Sequence, residues 1–107
     1  MELNQYAIVL VNLDPTIGSE IKKTRPCVII SPNEMNRHLQ TIVLSPMTTN
    51  TKNYPTRVAV ELNSMKGMIV LDQIKTVDKS RLIKIMGQLN STEIMQCKAV
   101  IKETYVD

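Results

Sequence analysis

Two short polar segments carry the side chains best suited to chemistry on a phosphate group. Residues 18–26 hold a carboxylate and three cations directly before an apolar run, and residues 45–52 hold hydroxyl groups and a lysine directly after another. A loop that ends at a strand presents side chains from a rigid base, and the guanidinium of arginine matches phosphate oxygens. Together the segments predict an anion-binding site, although each one alone is also typical of a solvated surface loop.

Residue counts exclude several other kinds of site. Cys27, Cys97 and the single His38 cannot supply the three or four ligands of a zinc site. Three scattered glycines form neither a phosphate loop nor a dinucleotide fingerprint, so we expect no metal and no cofactor. Both cysteines lie in apolar patterns and are expected to be buried thiols of a reducing compartment. His38 follows a short predicted helix and is expected at an exposed helix end, outside catalysis.

Length and composition indicate a single domain over residues 1–107. The chain is 43% hydrophobic and 21% charged, and its only aromatic residues are three tyrosines. No segment approaches the roughly 18 apolar residues of a membrane span, and the N-terminus lacks a leader pattern, so a cytoplasmic protein is expected. The 13 basic against 10 acidic residues give a charge of +3, which permits a polyanionic partner.

Apolar runs and turn residues predict the elements that must position these segments. Strands are expected at residues 6–13, 26–31, 40–45, 56–62, 68–74 and 81–89, with a turn at 76–80. Ser31, Pro32 and Glu34 form a capping-box pattern that predicts a short helix over 33–38. Asn90 and Glu93 begin a second helix that runs to about residue 103. Because strands and helices do not alternate, we expect a small antiparallel barrel or curled sheet closed by a helix.

The polar segments and the strands between them resemble a known family. In order and spacing they are similar to the MazF/PemK toxins of bacterial toxin–antitoxin pairs, from about residue 6 to residue 106. The segments are 9–20 (VLVNLDPTIGSE), 24–32 (TRPCVIISP), 43–49 (VLSPMTT), 52–55 (KNYP) and 67–78 (GMIVLDQIKTVD). Members of this family usually have glycine and an acidic residue where this chain has Tyr6 and Ala7.

This resemblance implies both a fold and an activity. The implied fold is mainly β: an SH3-like antiparallel barrel with a short inserted helix and a C-terminal helix, assembled as a homodimer. The implied activity is that of a toxin that cleaves single-stranded mRNA as a sequence-specific, metal-independent endoribonuclease. Attack by the 2′-hydroxyl would leave 2′,3′-cyclic phosphate and 5′-hydroxyl ends and so inhibit translation and growth. A cognate, MazE-like antitoxin would occupy the RNA groove.

The resemblance also assigns residues. It places catalysis on Arg25 and Thr48, with Glu20 beside them. Arg25 would stabilise the phosphorane by charge, Thr48 would bond a nonbridging oxygen, and Glu20 would act as base or orient Arg25. Further RNA contacts are expected from polar side chains near this pair: Ser19, Lys22, Lys23, Thr24, Thr49, Asn50, Lys52, Tyr54, Gln73, Lys75 and Lys79.

Some of these residues have more than one interpretation. The lysines would line the RNA backbone as charge, without reading sequence. Tyr54 could stack on an unpaired base or cover the end of the barrel. Asp72 and Gln73 interrupt an apolar run and could make structural hydrogen bonds or touch a base.

The sequence is also compatible with two other functions. A related barrel toxin of the CcdB type would bind DNA gyrase through the terminal helix without cleaving RNA. A catalytically inactive RNA-binding module is the second alternative. The segments around Arg25 and Thr48 match the ribonuclease branch, and RNA cleavage in the presence of a chelator separates this branch from the gyrase-binding toxin. RNA binding that survives while Arg25→Ala changes nothing in cleavage assays would favour the inactive module.

Overall fold

The computed structural model describes residues 2–13 and 24–106. The expectations placed on Ser19, Glu20, Lys22 and Lys23 therefore lie outside the described residues. The described elements, in chain order, are β1 (Ala7–Asn12), β2 (Thr24–Ile29), α1 (Asn33–His38), β3 (Thr41–Thr48), β4 (Arg57–Leu62), β5 (Met65–Val70), a 3-10 turn (Leu71–Gln73), β6 (Lys75–Asp78), a second 3-10 turn (Lys79–Arg81), β7 (Leu82–Gln88), α2 (Ser91–Ile101) and a π-helical turn (Lys102–Val106).

The strands form one curled antiparallel sheet. Their order is β4-β5-β3-β2-β1-β7, and β6 pairs with β3 outside this path. The pairing of β1 with β7 contains two register shifts, whereas β1 pairs with β2 without interruption. The result is a mainly antiparallel half-barrel with a C-terminal helix, which confirms the predicted fold class. Among the described residues, no helix has the length and apolar character that crossing a membrane requires.

Apolar side chains are buried on both faces of this sheet. One cluster, the helix-side core, contains Ile8, Val28 and Ile69 packed with Cys97 of α2. Alternate residues of the same strands form a second cluster, the opposite-face core, which includes Val9, Val11, Cys27, Ile29 and Leu44. Because successive strand residues point to opposite faces, burial on both sides explains why β1 has a continuous apolar run.

The two helices begin in different ways. At α2, Asn90 and Glu93 form the predicted capping box. The capping box predicted at Ser31 is wrong, because Pro32 is the N-cap of α1 and makes no side-chain cap. The buried Ser31 hydroxyl instead donates to Asn36 Oδ1 at 2.5 Å and accepts the Val43 N–H at 3.1 Å. This serine therefore ties α1 to β3.

Three strand boundaries differ from the predictions. Strand β2 begins at Thr24, so Pro26 is its third residue and not its first. Strand β3 continues past Pro46, the residue predicted to stop it, as far as Thr48. Pro46 lies where β3 exchanges β6 for β5 as its neighbour, so its missing N–H interrupts neither of those ladders. Strand β5 includes residues 65–67, which were predicted as part of a turn.

Residues 71–78 also differ from the prediction. The expected end of a strand at Leu71–Gln73 is a 3-10 turn, and the expected turn at 76–80 is mostly strand β6. Only Val77 of β6 is even partly buried, so the local apolar pattern is weak. Pairing with β3, distant in sequence, determines this strand.

Candidate RNA-cleavage site

Strands β2 and β3 bring Arg25 and Thr48 to the same end of the sheet. Cys27 of β2 lies opposite Pro46 of β3. Arg25 is two residues before Cys27, and Thr48 is two residues after Pro46. Since the strands are antiparallel and side chains alternate between faces, both residues lie beyond the same pair and on the same face. Two segments that are separate in sequence thus converge at one place.

Lys75 lies on this face as well. It pairs with Leu44, a residue of the opposite-face core, which fixes the side to which it points. Burial raises the pKa of the nearby Cys27 thiol to about 12, while the positive charges of Arg25 and Lys75 act on that pKa in the other direction. Both cations therefore lie close to the same buried sulfur. We call Arg25, Thr48 and Lys75 the Arg25 cluster.

Thr48 is held in place by its own turn. It is the last residue of β3, lies opposite Met68 and is partly buried. Its Oγ1 accepts the backbone N–H of Asn50 at 3.2 Å. A hydroxyl that accepts one bond keeps its own proton for donation. Thr48 can therefore donate a hydrogen bond to a phosphate oxygen beside Arg25.

Tyr54 forms a second feature of the same face together with two cations. The Nζ of Lys52 lies 5.4 Å and the Cζ of Arg57 lies 4.6 Å from the centre of the Tyr54 ring. Arg57 alternates with Val58, a residue of the helix-side core, so it lies on the face that carries Thr48. The ring is 41% exposed. An aromatic ring flanked by cations is suited to stacking on a nucleobase.

Sequence reasoning assigned no role to Arg57, which lies in the strand expected at residues 56–62. The sequence feature that could have pointed to Arg57 is its position three residues after Tyr54. Its Nε is buried without a hydrogen-bond partner among the described residues. Arg57 also lines a groove of about 850 Å³ between β4, β5 and α2, together with Ala59, Met68 and Gln96.

The remaining predicted contacts occupy several places. Thr49 and Asn50 follow β3 directly, and Thr24 begins β2 opposite Asn12. Gln73 is exposed at the end of the 3-10 turn that leads to Lys75. Each of these residues lies within two positions in sequence of a member of the Arg25 cluster.

Lys79 lies elsewhere. Its Nζ donates to the main-chain carbonyl of Asn36 in α1, and its N–H donates to the carbonyl of Gln40. Strand β6 runs from Lys75, opposite Leu44, to Asp78, opposite Thr41. Lys79 therefore lies beside α1, and the structure does not bring it to the Arg25 cluster. His38 is exposed in the last turn of α1, as expected. Asp72 accepts the Thr56 hydroxyl at 2.9 Å, so it makes the structural hydrogen bond.

Comparison with known protein families gives one match over most of the chain. Residues 4–105 match the family described as PemK-like, MazF-like toxin of type II toxin-antitoxin system. The endoribonuclease toxin MazF of Escherichia coli K12 is 32% identical over 95 residues, which cover 88% of this chain and 86% of that protein. The endoribonuclease MazF of Staphylococcus saprophyticus is 31% identical over 100 residues, covering 88% and 83% of the two chains.

Solved structures share the fold at lower identity. A MazE-MazF structure from Deinococcus radiodurans has a TM-score of 0.83 and 20% identity, covering 96% of this chain and 95% of that one. An endoribonuclease from a mycobacterial species, in complex with its cognate antitoxin, has a TM-score of 0.80 and 22% identity, covering 94% and 91%. The curled sheet and terminal helix are therefore shared across these proteins.

Proposed function

This chain belongs to the PemK-like, MazF-like toxins of type II toxin–antitoxin systems, and from that premise we propose that it cleaves single-stranded mRNA. It is an endoribonuclease that acts at a specific sequence, without a metal ion, and so inhibits translation and growth. The observation that carries the proposal is the convergence of Arg25 and Thr48 on one face at the end of the sheet. This pair supplies a fixed charge and a hydrogen-bond donor, which are the groups that phosphodiester cleavage needs most.

RNA supplies its own nucleophile. The 2′-oxygen bonds to phosphorus, the bond from phosphorus to the 5′-oxygen breaks, and the products carry a 2′,3′-cyclic phosphate and a 5′-hydroxyl. The proton of the 2′-hydroxyl passes to a base, and the departing 5′-oxygen gains a proton. The protein must hold the three reacting atoms in line and stabilise the additional negative charge on the phosphorane.

Each member of the Arg25 cluster has a role in this reaction. Arg25 binds two phosphate oxygens through its planar, positively charged fork. Lys75 adds a second positive charge on the same face. Thr48 donates to a nonbridging oxygen while Asn50 holds its Oγ1 from the other side. Glu20, outside the described residues, is the proposed base or the partner that orients Arg25.

RNA follows this face of the sheet from the Arg25 cluster to Tyr54. Met68 and Ala59 lie across the sheet from Thr48, and Arg57 follows on the outermost strand of that side. Tyr54 stacks on an unpaired base between Lys52 and Arg57. Contacts around the scissile phosphate come from Thr24, Thr49, Asn50 and Gln73, and from Ser19, Lys22 and Lys23 outside the described residues.

The protein acts as a homodimer in the bacterial cytoplasm, under the control of a cognate MazE-like antitoxin. The antitoxin occupies the RNA groove, so RNA and antitoxin compete for the same cations. Two solved relatives contain an antitoxin or MazE chain, which supports this partner. Two buried, unpaired thiols are typical of a reducing compartment.

The test is cleavage of a long mixed-sequence RNA by the purified protein in EDTA, with the fragment ends mapped. We expect 5′-hydroxyl and 2′,3′-cyclic phosphate ends at one recurring sequence. Arg25→Ala and Thr48→Ala should each lower the cleavage rate by about 100- to 1000-fold, the usual cost of one transition-state donor. Both variants should remain folded, because neither side chain belongs to an apolar core.

Matched controls lie at other places on the surface. Arg37→Ala in α1 and Thr41→Ala at the far end of β3 remove the same residue types from exposed positions. We expect wild-type rates from both. Full activity in Arg25→Ala or Thr48→Ala, at equal protein concentration, would contradict the assignment. Intact RNA with every substrate would favour a gyrase-binding toxin, and binding without cleavage would favour an inactive RNA-binding module.

A further inference from the structure

Gly67 of β5 lies against the main chain of Thr48. A β-carbon added to Gly67 would be 2.7 Å from the carbonyl oxygen of Thr48 and 3.6 Å from its carbonyl carbon. The first distance is shorter than real β-carbon contacts, so either β5 or the end of β3 would have to move. The backbone of Gly67 is not in the left-handed region. Space for the Thr48 carbonyl is therefore the reason that glycine is needed.

We propose that Gly67 is a positioning residue that sets the place of the Thr48 hydroxyl in the active site. This inference rests on the proposed function, in which Thr48 contacts the phosphate. Ordinary contact begins at 3.4 Å, so alanine at residue 67 would force residue 67 and the Thr48 carbonyl apart by about 0.7 Å. A displacement near 1 Å at a catalytic group can lower a rate by about 100-fold.

The displacement would reach the hydroxyl because Thr48 is held on several sides. It lies opposite Met68, the residue next to Gly67, so the contact falls at the last pair of the β3–β5 ladder. Its Oγ1 also accepts the N–H of Asn50 in the following turn. A threonine side chain is stiff about its first torsion, so the hydroxyl follows the backbone instead of rotating to compensate.

Gly87 of β7 provides a matched control. A β-carbon there would meet the tip of the Leu62 side chain at 2.9 Å and Ile8 Cδ1 at 4.0 Å. A side-chain tip can move, whereas a strand carbonyl cannot do so without moving its strand. Gly87 pairs with Ile8 of β1, and among the described strands β7 has no pairing with β3, the strand that carries Thr48. Replacing either glycine has a similar effect on the entropy of the unfolded chain.

The experiment measures kcat and KM for RNA cleavage, with thermal unfolding in parallel. In Gly67→Ala, kcat should fall by about 10- to 100-fold while KM changes by less than about 3-fold, because the reacting geometry is altered and the cationic surface is retained. Gly87→Ala should keep kcat within about 2-fold of wild type, since its contact can relax away from the site.

A double-mutant cycle separates positioning from a general loss of structure. If Gly67 acts through Thr48, adding Gly67→Ala to Thr48→Ala should lower kcat no further. Multiplied losses would overturn the inference, and so would failure of Gly67→Ala to fold, because the glycine would then serve the sheet as a whole. Normal kcat in Gly67→Ala beside an inactive Thr48→Ala would overturn the inference alone. Full activity of Thr48→Ala would overturn the proposed catalytic role and this inference with it.

Discussion

Tyr6 adopts a left-handed backbone conformation, with φ of 68°, at the entrance to β1. Glycine adopts such a conformation without steric cost, whereas a residue with a side chain does so only under strain. The conformation is fixed by two hydrogen bonds, since the Tyr6 N–H donates to the Ile29 carbonyl and its carbonyl accepts the Leu89 N–H. The ring is buried in the helix-side core. Aromatic burial therefore offsets backbone strain at this residue.

We expect Tyr6→Gly to destabilise the protein, although glycine suits the backbone. Relief of strain contributes about 1–2 kcal/mol, whereas loss of a buried aromatic side chain costs about 3–5 kcal/mol. The free energy of unfolding in urea should fall by roughly 2 kcal/mol or more, while Tyr6→Phe, which keeps the ring, should change it much less. A glycine variant as stable as wild type would show that strain is the larger effect.

Both cysteine thiols should be unreactive in the native protein. The pKa of Cys27 and of Cys97 is raised to about 12; burial is the main cause for both thiols, and the charge of Glu93 is a second cause at Cys97. At pH 8 the thiolate fraction is then on the order of one in ten thousand, and only the thiolate reacts. A disulfide reagent at pH 8 should label neither cysteine until denaturant is added, and then both. Rapid labelling of native protein would contradict their burial.

The same pKa shifts give the sign of a pH effect on stability. A pKa raised on folding contributes stability that is complete below the unfolded value of 9.0 and is lost as pH rises toward the folded value of about 12. Wild type should therefore lose stability across this range more steeply than a variant carrying alanine at both cysteine positions. Equal slopes would indicate that the thiols ionise in the folded protein as readily as in the unfolded one.

At the scale of elements, the carboxylate of Glu93 joins α2 to the sheet. One oxygen accepts the N–H of Asn90 at 2.9 Å and completes the cap, while the other accepts the N–H of Glu61 in β4 at 3.1 Å. The side chain is nearly buried, at 9% exposure. A single residue thus satisfies a donor at the start of the helix and a donor of the outermost strand.

Glu93→Gln tests this connection. The amide has the same shape but only one acceptor, so its NH₂ group must face one of the two N–H donors, and a buried donor without a partner costs about 1–3 kcal/mol. The unfolding free energy should fall by that amount. Glu103→Gln, at an exposed residue after α2, should stay within about 0.5 kcal/mol of wild type. Equal effects of the two substitutions would contradict the proposed connection.

The elements differ in how well their sequences predict them. Helix α2 was predicted from the cap formed by Asn90 and Glu93, which is a local signal. The second strand of the β4–β5 hairpin begins earlier than predicted, because the turn consists only of Asn63 and Ser64, with φ values of 49° and 69°. Two-residue hairpin turns usually have glycine at their second position, and serine at that position makes the turn harder to recognise in the sequence. Strand β6 depends on a partner that is distant in sequence.

At the scale of the whole molecule, the sequence could identify residues but not their arrangement. The family resemblance assigned Arg25 and Thr48, and the β2–β3 register puts both residues just beyond the last pair of that ladder. The stack of Arg57 on Tyr54 and the contact of Gly67 with Thr48 depend on distances across strands. No spacing along the chain encodes those distances, so they could be found only in the folded structure.

The two register shifts between β1 and β7 affect how readily the protein aggregates through the edge of its sheet. Strand β7 ends the strand order and exposes Ile83 and Ile85, so a flat version of it would offer other chains an apolar template for fibril growth. Each bulge puts an extra residue into the strand and bends it, so the backbone groups that no described strand pairs lose the regular spacing that a docking strand requires. The irregular edge thus protects the protein against aggregation.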